Sequence, residues 1–174
     1  MKLLLLTLTI FIAFLSKAQN PNCPPGSNRA APELDKFVGI WRWVSGTDTL
    51  ILYLQKQYVE AKPGCNLPSI IGWHRYVQNG RLIESTEQYF GLPYLNDSHA
   101  MLISVVQSGI NPNATEVVGS SKDITKNKSF TLSLKMLNTN YNQMRWKISN
   151  KQGMQKPNFD YGSTLPWDVV LQKL

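Results

Sequence analysis

The sequence predicts an all-β fold, an antiparallel meander of eight to nine strands that closes into a barrel. Three observations predict it: short apolar runs alternate with polar residues at period two, turn residues separate these runs regularly, and no convincing amphipathic helix interrupts them. A barrel is favoured over a sandwich because closure leaves no unpaired strand edge. The chain has no internal repeat, and residues 34–174 are predicted to form a single β-barrel domain.

The first predicted strand, ending near Ser45, carries the residues around which the barrel is expected to form. One face at period two holds Phe37, Gly39, Trp41 and Trp43. Two tryptophan rings on one face call for a deep interior, because each ring has a large area to remove from water. Gly39 has no side chain, so it leaves space on this face for a neighbouring ring or allows a sharp bend of the strand.

The second predicted strand covers residues 49–59 and has apolar residues on both faces. Leu50, Leu52 and Leu54 share one face, while Ile51 and Tyr53 lie on the other. This pattern indicates a strand that is covered on both sides.

The clearest local signal is Asn79-Gly80, between two alternating runs. This pair is preferred in two-residue type I′ hairpins, because both turn positions need a positive φ. The resulting register pairs Val77 with Leu82, Arg75 with Glu84, and His74 with Ser85. The sequence leaves open which face of the hairpin, residues 70–89, points inward.

The remaining strands are predicted at residues 99–107, 115–120, 130–136, 143–149 and 167–173. The strands at 130–136 and 143–149 alternate most cleanly, which is typical of half-buried antiparallel strands. The residues expected to point inward there are Phe130, Leu132, Leu134, Met136, Met144, Trp146 and Ile148. In the last strand, the residues that share a face are Trp167, Val169 and Leu171.

Residues 1–18 are predicted to be a signal peptide, cleaved after Ala18. Lys2 supplies the charged start, residues 3–15 the apolar run, and residues 16–18 the small-x-small cleavage site. Thirteen apolar residues are too few for an ordinary membrane-spanning helix, so no stable membrane anchor is expected. Removing 18 residues from 174 leaves 156, which suits one secreted or periplasmic domain. Residues 19–33 are predicted to be a flexible arm.

The charge of the chain does not indicate a nucleic-acid partner. The formal net charge of +7 becomes +5 after loss of Lys2 and Lys17, and the other basic residues are scattered. A nucleic-acid-binding protein would cluster them on one face or helix.

Two cysteines, Cys23 and Cys65, remain in the exported chain. An even pair in an oxidising compartment favours a disulfide, which would stabilise by roughly 3–4 kcal/mol on the chain-entropy account. Two separate free thiols are the alternative.

Residues 37–42, Phe-Val-Gly-Ile-Trp-Arg, resemble the first strand of lipocalins and fatty-acid-binding proteins, the calycin group. The resemblance implies a lipocalin-like barrel with Gly39 and Trp41 at the closed end and Phe37 at the entry. It also implies that an arginine near the end of the chain covers the tryptophan, and Arg145 is the candidate. Alternation, however, places Arg145 on the other face of its strand from Met144 and Trp146. The two helices of fatty-acid-binding proteins and the long late helix of lipocalins have no counterpart in this sequence. The export signal, the tryptophan-rich first hairpin and residues 165–173 resemble an uncharacterised family of short secreted bacterial domains.

The aromatic residues carry the functional expectation. The candidates for lining a cavity for a small apolar ligand are Trp41, Trp43, Tyr53, Phe130 and Trp146. The alternative is that these rings fill the core, because an eight-stranded barrel is just wide enough for side chains. A second hypothesis is a structural or protein-interaction module that works through its outer surface, including Ile40, Val44 and the loops at 91–98 and 150–166.

The sequence contains little that indicates catalysis, and the protein is not expected to be an enzyme. His74, Ser85 and Glu87 would be neighbours in the predicted hairpin and suggest a hydrolase, but a serine within a regular strand lacks an oxyanion hole. A polar patch on a solvent face is the expected alternative. His74 and His99 lack partners at ligand spacing, so no metal site is predicted, and no cofactor motif occurs.

Overall fold

The computed structural model describes residues 30–61, 65–94, 101–104, 115–151 and 159–174, and for residues 60, 61, 65 and 101–104 it describes the backbone alone. The predicted signal peptide, Cys23 and residues 19–29 of the predicted arm lie outside these ranges. The described strands are β1 (Gly39–Ser45), β2 (Asp48–Ala61), β3 (Cys65–Gln78), β4 (Arg81–Ser85), β5 (Met101–Ser104), β6 (Glu116–Asp123), β7 (Lys128–Met136), β8 (Gln143–Asn150) and β9 (Asp168–Lys173). Two 3₁₀ helices span Pro32–Phe37 and Glu87–Tyr89.

The strands form one strongly curled, barrel-like antiparallel sheet, which confirms the predicted all-β meander. β1 pairs with β2 on one side and with β9 on the other. From β9 the pairing continues through β8, β7, β6 and β5 to β3, and β3 pairs with β2. β5 and β4 share the other edge of β3, opposite Ser69–Gly72 and Arg75–Gln78 respectively. The pairings therefore run in a complete circuit.

Most strand bounds lie close to the predicted ones. β6 continues to Asp123, three residues beyond the predicted end, because it pairs with β7 all along. β9 begins at Asp168, and β5 is described only over Met101–Ser104. The alternation predicted for β7 and β8 is confirmed, since every residue expected to point inward there is buried.

The hairpin of β3 and β4 has the predicted turn but not the predicted register. Asn79 and Gly80 have φ of 50° and 73°, as a type I′ turn requires. Val77 is opposite Leu82 as expected, but Ile83 is then an extra residue, and Tyr76 is opposite Glu84. One inserted residue exchanges the faces of everything beyond it, so the predicted Arg75–Glu84 and His74–Ser85 pairs are wrong.

The core contacts of β3 show how the hairpin is oriented, and β3 is buried on both faces. His74 and Tyr76 lie on the inner face, opposite Leu52 and Leu50 of β2. Trp73 lies on the outer face and is nevertheless 2% exposed. It is covered by the chain that follows β4, whose Phe90 packs edge-on against it with 5.5 Å between ring centroids.

The amino-terminal 3₁₀ helix covers one end of the sheet. It begins at Pro32, and Leu34 and Phe37 are buried in the core. Ala31 before it is only 2% exposed. Residues 31–33, assigned to the arm by the sequence, are therefore part of the folded domain.

The loop before β9 is tied to the opposite end of the sheet by Asp123. This carboxylate is fully buried and accepts hydrogen bonds from the backbone N–H of Lys126 at 2.9 Å and of Thr164 at 2.6 Å. Its Oδ2 also accepts from Ser163 Oγ at 3.5 Å. Leu165 follows in this loop and belongs to the core.

Gly39, where β1 begins, has a backbone conformation that other residues rarely adopt. Its φ is +134°, and a Cβ there would lie 2.9 Å from Lys173 Cε. We expect Gly39→Ala to lower the free energy of unfolding by about 2–3 kcal/mol, because an L-residue is strained in this region. Gly80→Ala is the control: its φ of +73° leaves a Cβ in open space, so we expect about 1 kcal/mol. Urea unfolding measures both, and equal losses would contradict the expectation.

Candidate functional site

Three of the five aromatic residues predicted to line a cavity meet inside the sheet. Trp41, Phe130 and Trp146 are all 0% exposed and belong to one hydrophobic core. The indole N–H of Trp41 donates to the carbonyl of Phe37 at 2.9 Å, and that of Trp146 donates to the carbonyl of Pro166 at 2.8 Å. These rings are closely packed and have their polar atoms satisfied by protein.

The other two predicted residues lie elsewhere. Trp43 is partly buried and packs against the core from its edge. Tyr53 lies on the outer face of β2, where its hydroxyl donates to Glu87 Oε1 at 2.6 Å. Burial, together with the hydrogen bond to Glu87, raises the pKa of Tyr53 to about 12. Tyr53 therefore lies on the outer face of the sheet, whereas the four other candidates lie in the core or against it.

The cation over the first-strand tryptophan is Lys173, not Arg145. Lys173 Nζ lies 5.2 Å from the Trp41 ring centroid and donates to the carbonyl of Lys36 at 3.3 Å. Arg145 is exposed and forms a two-bond ion pair with Asp168, at 2.7 and 2.6 Å. Lys173 comes two residues after inward-facing Leu171, so it lies on the same side of β9. Continuing the period-two alternation to the end of this strand would have identified it.

A polar cluster that the sequence did not predict lies inside the sheet around His74. The imidazole is 1% exposed, and its Nε2 lies 2.6 Å from Glu84 Oε1. The other oxygen of Glu84 accepts from the backbone N–H and the hydroxyl of Thr125, both at 2.8 Å. Thr125 lies between β6 and β7, so Glu84 joins the β3–β4 hairpin to a distant turn.

The protonation of Glu84 follows from these contacts. Burial by itself would raise its pKa, but the hydrogen bonds and charge of His74 and the hydrogen bonds of Thr125 outweigh it and lower the pKa to about 2. Glu84 is therefore a carboxylate at neutral pH. It can accept hydrogen bonds but cannot donate a proton.

The structure does not bring together the residues of the hydrolase hypothesis. His74 is inside the sheet, whereas Glu87 lies outside with Tyr53 and Arg75, whose Nε is 3.8 Å from Glu87 Oε2. Ser85 Oγ accepts from the backbone N–H of Glu87 at 3.2 Å. The bulge at Ile83 is the reason, because it exchanges the faces of β4. The alternative of a solvent-exposed patch is wrong for His74, which is buried.

Three buried polar atoms on strands of the sheet have no hydrogen-bond partner among the described residues. They are Nδ1 of His74, Oγ of Ser121 and Oδ1 of Asn150. Ser121 lies on β6, opposite Phe130 of β7, and is 1% exposed. Unsatisfied buried atoms are uncommon in folded proteins and often mark a bound water or ligand.

The outer face of β1 and β9 carries exposed apolar residues on both sides of the polar pair Arg42 and Gln172. Arg42 is opposite Gln172, so Ile40 and Leu174 flank it on one side and Val44 and Val170 on the other. The exposed fractions are Ile40 38%, Val44 55%, Val170 42% and Leu174 64%. Within the described part of the chain, Arg42 makes no ion pair.

Among the described residues, no group of three or more His, Cys, Asp or Glu side chains could hold a metal ion. No helix in the described ranges is long and apolar enough to cross a membrane.

Comparisons with known proteins place the chain by family alone. No curated protein and no solved structure matches it significantly. One family model matches the whole chain, residues 1–174, and is described as a family of unknown function, DUF6705. The predicted membership of a family without a known activity agrees with this match. The chain belongs to the DUF6705 family.

Proposed function

We propose that this protein is an exported interaction module that binds another protein through the outer face of β1 and β9. The observation that carries the proposal is the exposed group Ile40, Val44, Val170 and Leu174 around Arg42. Contiguous exposed apolar residues are typical of protein–protein contact sites. The absence of an ion-pair partner for Arg42 among the described residues favours a partner that carries a carboxylate between aliphatic side chains.

The packing of the interior also supports an external site. Trp41 and Trp146 are fully buried and donate their indole hydrogens to backbone carbonyls, so neither ring offers a free surface or donor to a ligand. The 3₁₀ helix covers one end of the sheet, and Asp123 ties the loop before β9 to the other.

Photo-crosslinking tests this proposal. A photoreactive amino acid at position 44 should capture one partner in cells of the source organism. The same residue at position 118 is the control, because Val118 is an equally exposed valine, at 50%, on β6. With the purified partner, Val44→Glu and Arg42→Glu should each weaken binding by about tenfold or more, as expected at an interface centre, and Val118→Glu should not. Indiscriminate capture from both positions would refute the proposal.

A small ligand inside the sheet is the second candidate, and the unpartnered His74 Nδ1 and Ser121 Oγ favour it. Such a ligand would present polar atoms to these two groups and apolar atoms to the core. Native mass spectrometry of the protein purified from its source distinguishes the candidates. A co-purifying small molecule supports the interior site, and a protein partner supports the outer face.

We also propose export with cleavage after Ala18, a disulfide between Cys23 and Cys65, and a distant calycin relationship. The calycin proposal rests on the first-strand motif and on Lys173 over Trp41. Mass spectrometry of the mature protein should find a chain that begins at Gln19 and has no thiol available for alkylation. A retained amino terminus or two alkylated cysteines would contradict the first two proposals respectively.

A further inference from the structure

A pocket lies between the amino-terminal 3₁₀ helix and the connection from β7 to β8. Its lining consists of Pro32, Glu33, Lys36 and Tyr141, and its volume is about 480 Å³. Small-molecule sites in proteins commonly have volumes of about 300–1,000 Å³. The pocket is therefore large enough for a single six-membered ring.

The wall that carries Tyr141 is held rigidly. Asn138 Oδ1 accepts from the backbone N–H of Asn142 at 3.2 Å and of Gln143 at 3.4 Å, and Asn138 Nδ2 donates to Asn142 Oδ1 at 2.6 Å. These bonds hold Tyr141 at a φ of +54°, which is uncommon for a bulky residue. Strained backbone of this kind is concentrated at binding sites. The ring of Tyr141 is 40% exposed, so one of its surfaces is open to a ligand.

The facing helix supplies an acceptor and a donor. Glu33 and Lys36 both line the pocket, so a carboxylate acceptor and an ammonium donor border it. Lys36 Nζ lies 5.2 Å from the centroid of the Tyr141 ring and 5.9 Å from that of Phe37. The helix is anchored by buried Leu34 and Phe37, so these groups have a fixed base.

We infer that this pocket binds a neutral, hydroxyl-bearing ring such as a pyranose sugar. Glu33 and Lys36 carry opposite charges, so their effects on an anionic or a cationic ligand largely cancel and the pocket gives neither a net electrostatic preference. Hydroxyl groups can donate to the carboxylate and accept from the ammonium. The apolar C–H face of the ring would pack on Pro32 and Tyr141. None of the residues that line this pocket belongs to the outer face of β1 and β9, so the inference stands or falls independently of the proposed protein partner.

Nuclear magnetic resonance titration of the isotopically labelled full chain tests the inference. The probes are the methyl pyranosides of glucose, galactose, mannose and N-acetylglucosamine, with acetate, methylammonium and glycine as anionic, cationic and zwitterionic controls. At least one sugar should shift the amide signals of Glu33, Lys36 and Tyr141 in a saturable way at millimolar concentration. No shift with any sugar up to about 100 mM, a limit well above millimolar affinity, would overturn the inference. A stronger response to a control would also overturn it.

Variants of Tyr141 separate binding from folding. Tyr141→Gly removes the ring while glycine accepts the positive φ, so the fold should be retained and the sugar affinity should fall at least about tenfold. Tyr141→Phe keeps the ring and should bind as the natural protein does. Glu33→Gln should also weaken binding, because it places an amide where the ligand's hydroxyl meets a carboxylate. Unchanged affinity in Tyr141→Gly would refute the site.

Discussion

Replacing Glu84 with alanine should lower the free energy of unfolding by about 3–5 kcal/mol, because it removes the acceptor of three hydrogen bonds, each typically worth about 1–1.5 kcal/mol. The change leaves His74 Nε2 buried without its partner and removes the acceptor of both Thr125 donors. It also removes the side-chain bridge between the β3–β4 hairpin and the turn between β6 and β7. Urea unfolding followed by tryptophan fluorescence would measure the loss.

Glu87→Ala is the matched control for that experiment. Glu87 also accepts a hydrogen bond, from Tyr53, and faces Arg75, but its side chain is 45% exposed. Exposed ion pairs contribute about 0–1 kcal/mol, so Glu87→Ala should cost no more than this. Equal losses in the two variants would show that the buried network around Glu84 is not a principal source of stability.

The same carboxylate predicts how stability depends on pH. The pKa of Glu84 is lowered in the folded protein from its ordinary value of 4.5 to about 2. The unfolded chain therefore binds a proton more readily than the folded chain between these values. The stabilisation from Glu84 is fully present above about pH 5 and is lost as the pH falls towards about 2. Glu84→Gln should make the melting temperature depend less on pH across this interval. An unchanged pH dependence would contradict the assignment.

Replacing Trp41 with alanine should lower the free energy of unfolding by about 3–5 kcal/mol, the range for buried large-to-small changes. The ring is 0% exposed, so its removal leaves a cavity in the core. It also leaves the carbonyl of Phe37 without the indole donor and removes the aromatic face beneath Lys173.

Two further variants distinguish the contributions of the Trp41 ring. Trp41→Phe retains most of the apolar area but loses the hydrogen bond, so its loss should lie between zero and that of alanine. Trp167→Ala is the control, because Trp167 is 38% exposed and contacts Phe130 edge-on. Thermal unfolding would rank the three, and a Trp167→Ala loss as large as that of Trp41→Ala would contradict the expectation.

Local chemistry explains which parts of the fold were predictable. The Asn79-Gly80 turn was predicted because only residues that tolerate positive φ suit both positions, and the structure has φ of 50° and 73° there. Period-two alternation identified the buried side of β7 and β8, since each strand has one apolar and one polar face. β3 is apolar on both faces, so its pattern did not show which side was inward.

The position of Glu84 depends on contacts that no local pattern contains. The partner of its second oxygen, Thr125, is 41 residues away in sequence. Only when the curled sheet brings that turn to β4 does a buried carboxylate gain enough hydrogen bonds to offset its burial, and the bulge at Ile83 is what directs Glu84 inward. The surroundings of Tyr53 were unpredictable for the same reason, because they depend on the chain that folds back after β4.

The sequence by itself determined the all-β meander, its turns and the inward aromatic residues of β1, β7 and β8, because these follow from local backbone preferences and side-chain alternation. The tertiary structure alone decided the candidate sites. The cation over Trp41, the buried network of His74 and Glu84, the apolar outer face of β1 and β9 and the pocket at Tyr141 each join residues distant in sequence. Their chemistry depends on which side chains closure of the sheet brings within bonding distance.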